Sequence, residues 1–403
     1  MLTYFHHRRD LALVLFFRSA LRCFVSCSHR FEDRSKAESV RSRSRVVEVD
    51  NSEIRTFGLI RKGTQDVVME ILSGPYEGMV LEGHNQLLGQ LDRDKLFKAG
   101  DEALAVITPG ADGSPEVVNP QAHYRLGLEL WLLGLFAALL IAFGGWTGAK
   151  ALLSFLFTGL MLWKVMVPLM LEGANPILVA LGVTALLSGA IIFLVAGVNR
   201  TGLTAFAGAF TGILTSCVLA VWFTDKFHVH GAVMPFAETL LYAGYEYLDL
   251  TAIFVSGVFL ASSGAVMDLA MDVAASMREV VEKKPGIGRA EAVMSGIRVG
   301  RAVVGTMTTT LLLAYSGGYL TLLMAFMAQG IPLESTFNFV YVAAEVLKTL
   351  VGSFGLVLVA PFTALAGGVL LARQRREPKA ESTAQSMQNP APAHQSASAS
   401  LTE

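Results

Sequence analysis

The sequence has few charged residues and few cysteines. Asp, Glu, Lys and Arg make up only 16% of its 403 residues, whereas a soluble domain normally has about 25%. The spacing of the three cysteines, Cys23, Cys27 and Cys217, fits neither a metal site nor a disulfide framework. The formal net charge of -1 carries no information about partners, and nucleic acid is not among the partners that we expect.

Motifs for catalysis and for nucleotide binding are also missing from the sequence. No nucleophile stands in a recognisable arrangement with a base, and no set of metal ligands is visible. The glycines of "KKPGIGRAE" have neither a phosphate-loop pattern nor a preceding strand. We therefore expect no catalytic residues, no metal, no cofactor and no enzyme activity. If the protein moves a substrate, it is not itself the ATPase.

Apolar residues are abundant, at 53% of the chain, and the mean hydropathy is +0.51. They are concentrated after residue 125, in runs of about twenty residues, which is the length that a helix needs to cross a bilayer. We predict an interfacial or re-entrant helix over the aromatic segment 227–248 and a similar surface element over 333–346. The seven predicted spanning helices are 126–145, 149–171, 176–197, 201–223, 249–271, 301–327 and 347–371.

The chain is predicted to be an α-helical polytopic membrane protein with a small N-terminal all-β domain outside the cytoplasm. Short β-branched runs separated by Gly, Pro and Asp turns favour a barrel or sandwich over residues 46–119. Residues 1–45 are expected to be a degenerate signal or anchor followed by a disordered linker, or else the product of a misassigned start. The seven-helix domain occupies residues 120–372, and residues 373–403 form a disordered cytoplasmic tail.

The distribution of Lys and Arg predicts the orientation of the helices. Short cytoplasmic loops are rich in these residues, and the connection between the fifth and sixth predicted spans is the most basic in the chain. The opposite connections carry mainly acids, including Glu172, Glu238 and Glu246. The C-terminus should therefore be cytoplasmic, and seven spans then place the β domain outside. The basic residues of that connection are Arg278, Lys283, Lys284, Arg289, Arg298 and Arg301.

Two acids end a stripe of small residues on the fifth predicted span. Gly257, Ala261, Gly264, Asp268 and Asp272 are spaced four, three, four and four residues apart, so they share one helical face. Small residues let another helix approach closely. We therefore predict that this stripe faces protein and not lipid.

The depth of Asp268 leaves two interpretations of the acids open. If the span begins at Leu250, Asp268 lies about 27 Å along it, in the last turn of the hydrocarbon core. Asp268 and Asp272 can then be interfacial acids paired with Arg298 or Arg301. Alternatively, Asp268 is a protonatable or cation-binding carboxylate that lines a cytoplasm-facing cavity.

Threonines cluster on the sixth predicted span. Thr306 and Thr309 belong to a group of four whose hydroxyls can bond to their own helix, or across to a neighbouring helix, which is the interpretation that we favour. A polar lining for a proton or substrate path is the alternative. Gly208 and Gly212 form a GxxxG pattern on the fourth span, which indicates helix packing only weakly.

These segments resemble the YibE/F family of bacterial multi-spanning membrane proteins. The resemblance covers about residues 50–372 and depends on "GAVMDLAMDVAASM", "GRAVVGTMTTTLLLAYSGG" and "NRTGLTAFAGAFTG". Ala302 and Thr309 depart from the family pattern, which often has an acid and an Asn there. If the acid at 302 helps to form a polar site in relatives, that site is reduced in this chain. The resemblance implies architecture and a plasma-membrane location more than a function.

Residues 266–371 are also similar, more weakly, to the SecD/SecF and RND-type export membrane domains. We therefore predict a transporter or export-accessory protein, coupled to protons through Asp268, with the lipid bilayer and a homo-oligomer or membrane partner protein around it. The alternative is a membrane scaffold or sensor that does not transport, and whose outer β domain binds a partner or ligand.

Overall fold

A computed structural model describes residue 19 and residues 39–372 of the chain. The predicted signal or anchor, with Cys23 and Cys27, and the predicted tail therefore lie outside the described residues. The first strand begins at Val40, so residues 40–45, which were predicted as linker, belong to the sheet. The six strands are β1 Val40–Asp50, β2 Arg55–Phe57, β3 Ile60–Ile71, β4 Val80–Leu88, β5 Glu102–Pro109 and β6 Pro115–His123.

The strands form an antiparallel half-barrel, which confirms the predicted all-β domain. Their order is β2-β3-β1-β5-β6, and β4 pairs with the other edge of β3. The sheet curls until β4 approaches β6, where a Cβ on Gly83 would lie 2.7 Å from the carbonyl oxygen of Val118, so only glycine fits there. Alternate side chains of the strands point into one core. Its buried members are Val46, Val67, Met69, Ile71, Tyr76, Phe97, Ala103, Ala105, Ile107 and Val118.

Six helices among the described residues are long and apolar enough to cross a membrane, which fits a membrane protein. Asn175 and Asn199 cap two of them by accepting hydrogen bonds from backbone N–H groups. Two short helices, α4 Ala237–Tyr242 and α7 Leu333–Asn338, lie between the long ones. The six long helices are α1 Leu126–Leu171, α2 Pro176–Ala196, α3 Arg200–Lys226, α5 Leu250–Lys283, α6 Arg289–Ala328 and α8 Val340–Leu370.

The difference between six helices and the seven predicted spans arises at Gly145 in α1. This residue has φ 51° and ψ -128°, a conformation open essentially to glycine alone. The chain reverses there: the rings of Phe136 and Phe155 are 5.5 Å apart, although a straight helix would separate them by about 28 Å. α1 is thus a helical hairpin, and its two arms correspond to the first two predicted spans.

Two predicted connections differ from the structure. The segment 227–248 is not one interfacial helix: it contains a 3-10 turn at Gly231–Val233 and the short helix α4. The basic connection between the fifth and sixth spans is mostly helical, because α5 continues to Lys283 and α6 begins at Arg289. Ion pairs between residues four apart, such as Arg278 with Glu282, neutralise charges of this connection at the surface.

The chain divides into two compact units, residues 1–197 with 234–256 and residues 198–233 with 257–403. In the first unit, the hydroxyl of Tyr247 donates to the carbonyl oxygen of Leu171. In the second unit, α8 packs against α3 and α6. Gly208 and Gly212 of α3 lie at this packing surface: a Cβ on Gly208 would overlap Thr363, and one on Gly212 would lie 3.1 Å from Val359.

Candidate functional site

Asp268 and Asp272 lie on the outward face of α5 within the second unit. Both side chains are exposed, and they follow each other by one helical turn, about 6 Å along the axis. Gly257, Ala261 and Gly264 continue the same exposed face toward the start of the helix, and a Cβ on either glycine would meet no atom within 4 Å. No described helix of the second unit covers this stripe, and that the stripe faces protein and not lipid stays a prediction.

The opposite face of α5 makes the contacts. Val266 lies against Gly212 of α3, Val273 against Gly300 of α6, and Met277 against Gly296 of α6. This face is apolar and fully buried, so burial of apolar area rather than the small stripe decides which way the helix faces. The sequence spacing identified the stripe, whereas the contacts within the unit are made by the opposite face of α5.

The predicted ion-pair partners Arg298 and Arg301 are exposed on α6, and the predicted polar residues Thr306 and Thr309 follow them along this helix. Thr306 and Thr309 are also exposed, and their hydroxyls donate to the carbonyl oxygens of Val303 and Gly305 of the same helix, at 2.9 and 3.1 Å. The favoured prediction of hydrogen bonds between helices is therefore wrong for these threonines, because each hydroxyl finds an acceptor in its own preceding turn.

The contacts between α5 and α6 set the depth of these groups. Met277 contacts Gly296 and Val273 contacts Gly300, so the helices are antiparallel. One residue before Val273 on α5 and one after Gly300 on α6, Asp272 is level with Arg301. By the same register Asp268 is level with Gly305, next to Thr306.

No ion pair joins these acids and arginines within residues 39–372. The salt bridges that involve α5 or α6 lie beyond the acids, at Arg278–Glu282, Lys283–Glu279 and Lys284–Glu291. A lone Asp or Arg at the centre of a membrane helix costs about 3 kcal/mol on insertion scales. Groups of both signs at one level therefore need water, lipid headgroups or a partner.

One charged pair on a long helix was missed by the sequence analysis. Nζ of Lys348 lies 2.6 Å from Oε1 of Glu345, and both side chains are about three-quarters buried, with 26% and 24% exposure. The sequence prediction began the last span at residue 347, whereas α8 begins at Val340. The signal that could have revealed the pair is the spacing of three residues between opposite charges next to an apolar run.

The β domain carries a separate acidic concavity of about 330 Å³. Asp66 on β3 stands opposite Asp50 on β1 and His84 on β4. Nδ1 of His84 lies 2.6 Å from Oδ1 of Asp66. Across residues 39–372, no group of three or more His, Cys, Asp or Glu side chains could hold a metal ion. The concavity is lined by Glu48, Asp50, Asp66, Val67, Val68, Glu82, Gly83 and His84.

Comparison with known proteins gives one match. The model of a family described as YibE/F-like protein matches residues 132–373, which confirms the resemblance drawn from the α3, α5 and α6 motifs. No curated protein and no solved structure matches the chain. The weaker likeness to export membrane domains stays a prediction.

Proposed function

We propose a function from the premise that this chain belongs to the YibE/F-like protein family. It is an integral protein of the bacterial plasma membrane that transports a substrate, or assists an export system, and is coupled to protons through Asp268. The β domain lies outside and the C-terminus in the cytoplasm. The protein has no catalytic role of its own in this proposal.

The observation that carries the proposal is a carboxylate on a membrane-type helix without a cation beside it. Asp268 has no ion-pair partner among residues 39–372. The residues of α6 at the same level are Gly305 and the neighbouring threonines, which carry hydroxyl groups. Ionisable residues inside membrane helices commonly mark ion or proton pathways. A carboxylate beside hydroxyl groups can take up and release a proton, whereas one held by an arginine stays ionised.

The test is the variant Asp268→Asn in proteoliposomes loaded with a pH-sensitive dye. An imposed pH gradient should drive proton flux through the wild type. The flux through the variant should be at least tenfold lower, because its amide cannot take up and release a proton. The matched control is Glu279→Gln on the same helix, whose partner Lys283 lies 2.6 Å away at the helix end. Control-level flux in Asp268→Asn, with both variants normally folded, would contradict proton coupling.

A second candidate function is a scaffold or sensor in which the outer β domain binds a cationic ligand or partner. The acidic concavity beside β1, β3 and β4 favours it, because carboxylates from three strands converge there. Deletion of residues 40–123 should then abolish function in cells while the helical part still inserts. The double variant Glu48→Gln with Asp66→Asn should have the same effect under this hypothesis, and no effect if Asp268 carries the function.

A further inference from the structure

We infer that the outward face of α5 and α6 binds a second copy of this chain, with Asp272 of each copy paired to Arg301 of the other. This pairing does not depend on the proposed transport, since Asp268 takes no part in it.

The face has no partner within the second unit of the chain. Gly257, Gly264 and Gly305 have open space where a Cβ would stand. Gly212, Gly296 and Gly300, on the inner faces of the same unit, all meet neighbouring side chains or backbone within 4 Å. Helix faces of small residues permit close backbone approach when another helix docks on them.

The charges on the face complement each other when a second copy docks in the same orientation. Asp272 and Arg301 are exposed, lie at one level, and have no ion-pair partner among the described residues. A two-fold axis parallel to the helices keeps every residue at its depth, so the acid of one copy meets the base of the other. The symmetry then forms the pair twice.

A second copy explains the face better than an unrelated partner does. The face carries both the acid and the base, so it is self-complementary as it stands, which is the property that an isologous interface requires. An unrelated membrane helix would have to supply both charges in the reverse order at the same depth.

The decisive experiment exchanges the two charges between differently tagged copies of the full chain, co-expressed and purified in detergent. Asp272→Arg alone and Arg301→Asp alone should each reduce co-purification with an identically substituted copy at least tenfold, since two like charges then meet. A copy with Asp272→Arg and a copy with Arg301→Asp should co-purify as the wild type does. Asp225→Arg, an exposed change at the end of α3, is the control that should leave co-purification unchanged.

A pair within one chain predicts a different pattern and would overturn the inference. In that case a chain that carries both Asp272→Arg and Arg301→Asp should co-purify as the wild type does. A mixture of the two singly substituted copies should not. Retained co-purification of either single variant would also overturn it.

A second measurement tests the interface without the charge substitutions, and so does not depend on whether those variants fold. In a background without native cysteines, a Gly264→Cys copy should form a disulfide with a Thr309→Cys copy, because the two exposed positions lie at one level on the facing helices α5 and α6. A copy with Ala270→Cys, on the buried face, should not cross-link to the Thr309→Cys copy. Failure of the Gly264→Cys and Thr309→Cys copies to cross-link would overturn the inference.

Discussion

At the scale of single residues, the surroundings of a carboxylate decide its role. Asp268 and Asp272 have no ion-pair partner among the described residues, whereas Asp94 in the β domain is held by its own loop. Its carboxylate accepts hydrogen bonds from the backbone N–H groups of Leu88, Gly89 and Gln90, at 3.1, 2.6 and 2.8 Å. Asp94 thus fixes the turn that ends β4.

Asp94 should make the stability of the β domain depend on pH. Partial desolvation raises the pKa of Asp94, but the three backbone donors outweigh it and hold the pKa below its usual value. A carboxyl whose pKa is lower in the folded state stabilises the fold above its unfolded pKa of about 3.9. That stability is lost as the pH falls through the folded pKa.

The measurement compares the wild type with Asp94→Asn by thermal unfolding at pH 7 and at pH 3. The variant should melt at a lower temperature at pH 7. The difference should shrink at pH 3, because this pH is below the unfolded pKa of about 3.9 and protonation of the unfolded chain removes part of the stabilisation. An equal difference at both pH values would show that the charge of Asp94 is not what stabilises the turn.

At the scale of helices, glycines that look alike in the sequence have different surroundings. Gly208 and Gly212 lie where α3 meets α8, while Gly257 and Gly264 lie on an open face of α5. The GxxxG pattern on α3 and the small stripe on α5 share a similar spacing. Only the contacts of the folded unit distinguish a packed glycine from an unpartnered one.

Gly208→Ala should destabilise the helical part because the new methyl group overlaps Thr363. Overpacking of this kind typically costs about 1–3 kcal/mol. Gly182→Ala in α2 is the matched control, since nothing lies within 4 Å of its Cβ position, and alanine should stabilise a helix interior by about 0.5–1 kcal/mol. Thermal unfolding in detergent should therefore shift in opposite directions for the two variants. Equal shifts would exclude close α3–α8 packing at Gly208.

At the scale of the whole molecule, the reversal at Gly145 governs how many times the chain would cross a membrane in the proposed arrangement. Because α1 folds back on itself, its arms count as two crossings under the proposed membrane arrangement. The number of crossings before the basic turn between α5 and α6 then changes by one. The positive-inside distribution of Lys and Arg agrees with the hairpin, since Lys150 follows the reversal.

Reporter fusions check this topology. A reporter inserted after residue 145 or residue 285 should be cytoplasmic, and one after residue 230 should be outside, because basic connections stay on the cytoplasmic side. Fusions at 285 and 230 serve as references for the two sides. A reporter after residue 145 that lies outside would contradict the hairpin arrangement.

Local patterns in the sequence were sufficient for the β domain, the long apolar helices and the shared face of Gly257, Gly264, Asp268 and Asp272. Alternation, run length and residue spacing depend only on near neighbours along the chain, so they can be read without the fold. The same patterns could not give the start of β1 at Val40 or the continuation of α5 to Lys283. In both places charged residues extend an element beyond its apolar part, and their pairing across or along it decides where it ends.

The sequence by itself determined that α5 has one face of small residues and acids and another of apolar residues. Only the tertiary structure decided which of them turns inward, and that Asp272 and Arg301 stand at one level. The physical reason is that burial depends on the shape of the neighbouring helices. The large side chains of Val266, Val273 and Met277 fill the spaces left by glycines on α3 and α6, and contacts between residues far apart in the chain leave no periodic signal in it.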